Sequence, residues 1–161
     1  MGFTALVIAI RLVVPASAPD STIAAAQRVA TTILRTAGVQ PFWVACLPHT
    51  PCLHLQVLDK TIALHADTAG YTVTDYAVVS YPAAAVVAES CGESTAVVLG
   101  AAMAHELGHL LLPPPSHSQA GIMSPRLTCR ELKQAARGEL RFTPDQVRAL
   151  QSDSHHLFTV K

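Results

Sequence analysis

The chain has little charge and few aromatic residues. Of its 161 residues, 14% are charged and 5% aromatic, with one tryptophan, and acidic and basic residues balance to a net charge of zero. There is no basic patch for nucleic acid and no Lys/Arg run for a membrane surface. No stretch reaches the roughly 18 unbroken apolar residues of a spanning helix. Neither repeats nor low-complexity tracts occur, and no Pro/Gly/Ser-rich linker divides the chain. A single domain over 1–161 is expected, and half the residues are hydrophobic, enough for a core. A monomer is expected.

The four cysteines, Cys46, Cys52, Cys91 and Cys129, include no CxxC pair. An even count suits disulfides but allows three connectivities. The pairing 46–52 and 91–129 is expected, because Cys46 and Cys52 flank a turn-like loop and Cys91 and Cys129 flank the central part of the chain. Disulfides point to a secreted or periplasmic setting. Four buried thiols in a cytoplasmic protein are the alternative.

The amino terminus reads in two ways. Residues Leu6 to Val14 are rich in β-branched types and suit a strand. The same apolar region, followed by Ala16-Ser17-Ala18, resembles a signal peptide, but Arg11 interrupts it and no positive residue precedes it. The strand is the preferred expectation.

Further on, Asp20 or Ser21 is expected to cap a helix running to about Thr36, with Gly38 beyond its end. Strands are expected over Val39 to Cys46, Leu53 to Leu58 and Tyr71 to Tyr81, and a short helix over Pro82 to Ser90. Thr128 with Glu131, and Thr143-Pro144 with Gln146, start two helices near the carboxyl end. The expected fold class is α+β: a small mixed sheet packed on the early helix and a central helix, with a helical C-terminal part.

That central helix carries the chemistry. An apolar run from Ala96 continues through His105-Glu106-Leu107-Gly108-His109 to Leu112. Ser94 or Thr95 can cap it, and Pro113-Pro114-Pro115 stop it after roughly 18 residues. Histidines four apart share one helix face, and their nitrogens can grip one Zn²⁺ at about 2.0–2.1 Å. Glu106 between them can take a proton from a water polarised by the metal. A catalytic zinc usually has three protein ligands. The preferred third is His117, which follows the proline run. Glu131 is the carboxylate alternative, although it also fits a helix cap, and Asp145 comes after it. The remaining five histidines, His49, His54, His65, His155 and His156, read as surface residues. Met123 in Gly121-Ile122-Met123 reads either as a core filler or as the floor of a metal site.

These motifs together resemble a zincin metallopeptidase, and within that group the metzincins, which carry HExxHxxGxxH and then a methionine turn. His105, Glu106 and His109 match the first half, and Gly121-Ile122-Met123 resembles the turn. The family's glycine falls at Leu112 and its third histidine at Pro115, so neither matches, and His117 lies two residues late. The pattern is closest to small bacterial HELGHLLL…SHS…GIM proteins. The resemblance implies a zincin-like fold and zinc-dependent hydrolysis of a peptide or protein substrate. It assigns His105, His109 and His117 to zinc, Glu106 to base catalysis and Met123 to the floor. It also implies that the strand before the active-site helix, through Thr74, Tyr76 and Val78, binds the substrate by backbone pairing. A zinc-binding protein with a structural or binding role and no proteolysis is the alternative.

Overall fold

The computed structural model describes residues 5–46, 52–61, 70–73 and 76–152. Strand β1 (Leu6–Val13) opens it, with Leu6, Ile8 and Ile10 turned inward at the period of two that the sequence shows. Helix α1 (Asp20–Arg35) follows. Its N-cap is Pro19, with no side-chain cap, so neither Asp20 nor Ser21 caps it as expected. Asp20 is instead the first helical residue, where its negative charge opposes the positive end of the helix dipole. Gly38 beyond the helix takes φ 77°, the left-handed conformation that glycine accepts freely.

Strand β2 (Val39–Trp43) ends short of the expected Cys46, and β3 (Leu53–Leu58) keeps its expected bounds. The run expected as one strand over Tyr71 to Tyr81 is instead a pair, β4 (Gly70–Val73) and β5 (Tyr76–Ser80), lying antiparallel. Tyr81 falls in helix α2 (Tyr81–Cys91), because the Ser80 hydroxyl accepts from the backbone N–H of Ala83 and caps it. Helix α3 (Thr95–Leu111), α4 (Cys129–Ala136) and α5 (Pro144–Ser152) complete the α+β fold. Both expected disulfides, Cys46–Cys52 and Cys91–Cys129, are formed.

The sheet is mixed, in the order β2-β1-β3-β5-β4. All neighbours are parallel except β4, which is antiparallel to β5 and forms one edge. Helix α3 packs on β5, β4 and β3, and α1 on β2, as the early helix and motif helix were expected to do. Between them lie Ile33, Leu34, Leu55, Val57, Leu99 and Met103, all nearly free of solvent. No helix among the described residues is long and apolar enough to cross a membrane.

Helix α3 is 17 residues long and buried along most of its length. It meets α1 at Gly100, where an added Cβ would fall 2.5 Å from the Ala26 carbonyl oxygen and 2.6 Å from the Val29 Cβ. Glycine here lets the two backbones approach, and the contact sets the position of α3 over the sheet. Gly100→Ala must push the helices apart, against the small helix-propensity gain of alanine. Overpacking of this kind costs about 1–3 kcal/mol. A denaturant midpoint equal to or above that of the parent would refute this account of the helix contact.

Candidate metal centre

Ser94 starts α3 by accepting from the backbone N–H of Val97 at 3.2 Å. Fourteen or so residues of continuous helix then carry His105, Glu106 and His109 to the far end, about four turns on. Leu112 ends the helix at φ −99° and ψ 142°. That is extended backbone open to any residue, so the chain turns away here without the glycine of the metzincin pattern. After the prolines it returns with His117.

His105, His109 and His117 form a cluster whose candidate ligand atoms all lie within 4.8 Å of one another. The Nε2 atoms of His105 and His109 are 3.1 Å apart. Two nitrogens held at about 2.05 Å from one tetrahedral ion would be separated by about 3.3 Å. The pair therefore already has nearly the bite of a metal chelate. The Nδ1–H of His105 donates to the Ile122 carbonyl at 2.7 Å, which leaves its Nε2 lone pair for the cluster. His109 Nδ1 lies 2.5 Å from the Ser116 hydroxyl. The donor set, three imidazoles of which His105 and His109 have their outward nitrogens held by neighbours, fits a metal ion.

Electrostatics favour the uncharged imidazoles. Burial, with smaller contributions from neighbouring histidines, lowers the His109 pKa to about 4. Burial also lowers that of His105, against the opposing effect of the Ile122 hydrogen bond. Glu106 is 5% exposed, and burial raises its pKa to about 8. It lies against the edge strand: a Cβ at Gly70 would sit 2.7 Å from its Cγ and 2.9 Å from its Oε1. At pH 7 burial thus favours the protonated form of the metal-free carboxyl. A bound cation favours the charged form. Metal binding at pH 7 is expected to release close to one proton from Glu106. Calorimetric titration in buffers of different ionisation enthalpy measures it. The same release from Glu106→Gln would exclude Glu106 as its source.

The loop bearing His117 is held from two sides. The Ser118 N–H donates to the Met123 carbonyl at 2.9 Å, and the Gln146 Nε2 on α5 donates to the Ser116 carbonyl at 3.0 Å. The Gly121-Ile122-Met123 segment is a tight turn, with Ser124 N–H donating to the Gly121 carbonyl at 3.1 Å and Gly121 at φ 80°. Met123 is fully buried, and its Sδ occupies the place beside Gly108 that a Cβ there would need, only 2.3 Å away. The methionine thus packs under the helical turn that carries His109.

Glu131 stands apart from the cluster. Its carboxylate accepts from the Thr128 backbone N–H at 2.8 Å and also from the Thr128 hydroxyl. Burial acts to raise its pKa, but these bonds outweigh burial and lower it. Asp145 pairs with Arg148. His54 lies on β3 outside the cluster, and His49, His65, His155 and His156 lie outside the described residues.

The expected substrate strand needs correcting. Thr74 lies outside the described residues, and Tyr76 and Val78 are on β5, which is paired with β3 on one side and β4 on the other. No backbone edge remains on β5 for a peptide, and Val78 is 1% exposed. Among the described residues β4 is the edge strand on this side of the sheet, and Glu106 lies against its first residue, Gly70.

Ser116 and Gln146 were not singled out by the sequence for the site. Gln146 was readable only as a cap, and it does accept from the Thr143 N–H at 3.0 Å. An amide, unlike a carboxylate, also has a donor to spare, and that donor reaches Ser116. Gln146→Glu should keep the cap and lose the loop contact. Losses of supporting contacts around a metal reduce affinity by about 10–100-fold, and a competition titration with a zinc chelator would measure this one. Unchanged affinity would assign Gln146 to the helix alone.

No known protein-family model matches this chain, and no curated protein matches it.

Proposed function

We propose that this chain is a zinc-dependent peptidase of the zincin type, hydrolysing peptide bonds of a peptide or protein substrate. One observation carries the reading: three convergent imidazoles lie next to a buried carboxylate that itself abuts Gly70 of β4, an edge strand among the described residues. Three imidazole ligands suit zinc among the common ions. Zinc, when held by His105, His109 and His117, supplies a Lewis acid for carbonyl hydrolysis.

The chain's own groups do the rest. The Ile122 carbonyl and the Ser116 hydroxyl orient the imidazoles of His105 and His109. Glu106 takes the proton of the attacking water on its carboxylate and passes it to the leaving amine nitrogen. Its burial keeps bulk water from competing for that proton. Strand β4, paired on one side only among the described residues, would offer its outer backbone N–H and C=O groups to an extended substrate, which this pairing would lay near Glu106. The two disulfides favour an exported protein.

The deciding experiment incubates zinc-loaded protein with an unfolded protein substrate and reads the fragments by mass spectrometry. Cleavage should stop with a chelator and return with zinc. A zinc-replete preparation that cuts nothing would leave a metal-binding protein without proteolysis.

A further inference from the structure

Glu106 leaves helix α3 on a different bearing from the metal ligands. At 3.6 residues per turn, its side chain departs roughly 100° round the helix from His105 and roughly 60° from His109. Among the described residues no hydrogen bond ties the carboxyl down. Its stem has several rotatable bonds, each with more than one favoured setting. Packing must therefore choose where the carboxyl rests.

Gly70 supplies that packing. It is buried, opens β4 and pairs with Val79 of β5. A Cβ on it would fall 2.7 Å from the Glu106 Cγ, 2.9 Å from its Oε1 and 2.4 Å from the Val78 carbonyl oxygen. All three are closer than a Cβ tolerates, so the Glu106 stem lies directly on bare β4 backbone. The glycine is not there for its conformational freedom. Gly38, Gly92, Gly121 and Gly138 take positive φ, and Gly70 does not. What the position uses is the missing side chain, which lets another group approach the strand closely.

We infer that Gly70 is a positioning residue: its bare backbone is the stop against which the Glu106 carboxyl rests, and it fixes the offset between that carboxyl and the three histidines. An added methyl displaces the carboxyl and leaves the ligand nitrogens, which hang from α3 and the His117 loop, in place. The inference rests on the peptidase reading for what the carboxyl does, and on packing alone for where it is held. A reacting group misplaced by about 1 Å can cost about a hundredfold in rate. Zinc-loaded Gly70→Ala should lose cleavage to that extent while keeping its zinc.

The deciding probe is Co²⁺, titrated into the parent, Gly70→Ala, Glu106→Ala and Gly70→Ala/Glu106→Ala. Cobalt accepts the imidazole ligands that zinc does, and its visible absorption follows the groups around it. Gly70→Ala should alter the cobalt spectrum when Glu106 is present and leave it unchanged in the Glu106→Ala background. Metal-free melting temperatures give the second readout. Gly70→Ala should lower the melting temperature in both backgrounds, and by less without Glu106, because only the collision with the Val78 carbonyl remains. If Gly70→Ala alone does not fold, recovery of the fold in the double variant carries the same result. A parental cobalt spectrum in Gly70→Ala would overturn the positioning role. So would a spectral change that persists without Glu106, since the strand would then be moving the histidines. Equal melting shifts in both backgrounds, or failure of both Gly70→Ala proteins to fold, would place the obstacle at Val78 alone and overturn it as well. A parent that takes up no cobalt would overturn the metal centre and this inference together. A parent that binds cobalt and cuts no peptide would overturn only the peptidase reading, since neither readout needs turnover.

Discussion

Glu106→Gln is expected to keep the three-histidine zinc site, binding more weakly by the favourable interaction with the Glu106 charge, and to lose at least a hundredfold in peptide cleavage, since general base catalysis contributes about 10²–10⁴-fold. The amide has the shape of the carboxyl, and Glu106 makes no ligand contact with the histidine cluster, so the fold and the metal should survive. The variant also separates catalysis from stability through pH. The metal-free folded pKa of about 8 lies above the ordinary 4.5. A raised folded pKa gives a stabilising contribution that is full below pH 4.5 and is lost as pH rises through about 8. Metal-free parent protein should therefore lose stability relative to Glu106→Gln across that window. Melting curves of both proteins from pH 4.5 to 8.5, with zinc analysis and a cleavage assay at one pH, test all three points. Cleavage at the parental rate would remove Glu106 as the base. A constant gap in melting temperature across the window would mean that its burial does not hold the proton.

The parts of this site written by local spacing were legible; those set by distant pairing were not. His105 and His109 share a face because helix geometry puts residues four apart together. His117 was favoured over Glu131 because Glu131 already had a local use with Thr128, and the structure keeps it there. The 91–129 pairing followed from two cysteines left to bridge the central region. The reversal between β4 and β5 left no such mark, since β-prone residues run through it and propensity does not say which strand takes the edge. The expected substrate residues Tyr76 and Val78 thereby fell on β5, an interior strand paired on both sides. Nothing local in the sequence marks Gly100 and Gly108 as contact points. Only the neighbours supplied by α1 and by Met123 explain why a side chain at either position would collide. Gln146 belongs with them: its partner, Ser116, is 30 residues away.

His117→Ala should cut zinc affinity by at least about a hundredfold, beyond the usual effect of losing a supporting contact, while leaving the metal-free fold almost unchanged. The histidine is exposed and contributes no core packing. The loop around it is held by Ser116 and Ser118 rather than by its own ring. Removing the imidazole therefore subtracts a ligand and little else, and two histidines on one helix remain. Because metal binds the folded form, the loss appears as stability: zinc at a hundred times its dissociation constant stabilises by about 2.7 kcal/mol, and a hundredfold weaker site gives up most of that. Melting temperatures of parent and variant should agree without zinc and separate with it. Zinc content per chain should fall after dialysis of the variant and hold in the parent. An equal zinc-induced rise in both proteins would show that His117 is no ligand. The donor would then have to come from outside the three-histidine cluster, since Glu131 is committed to its helix cap.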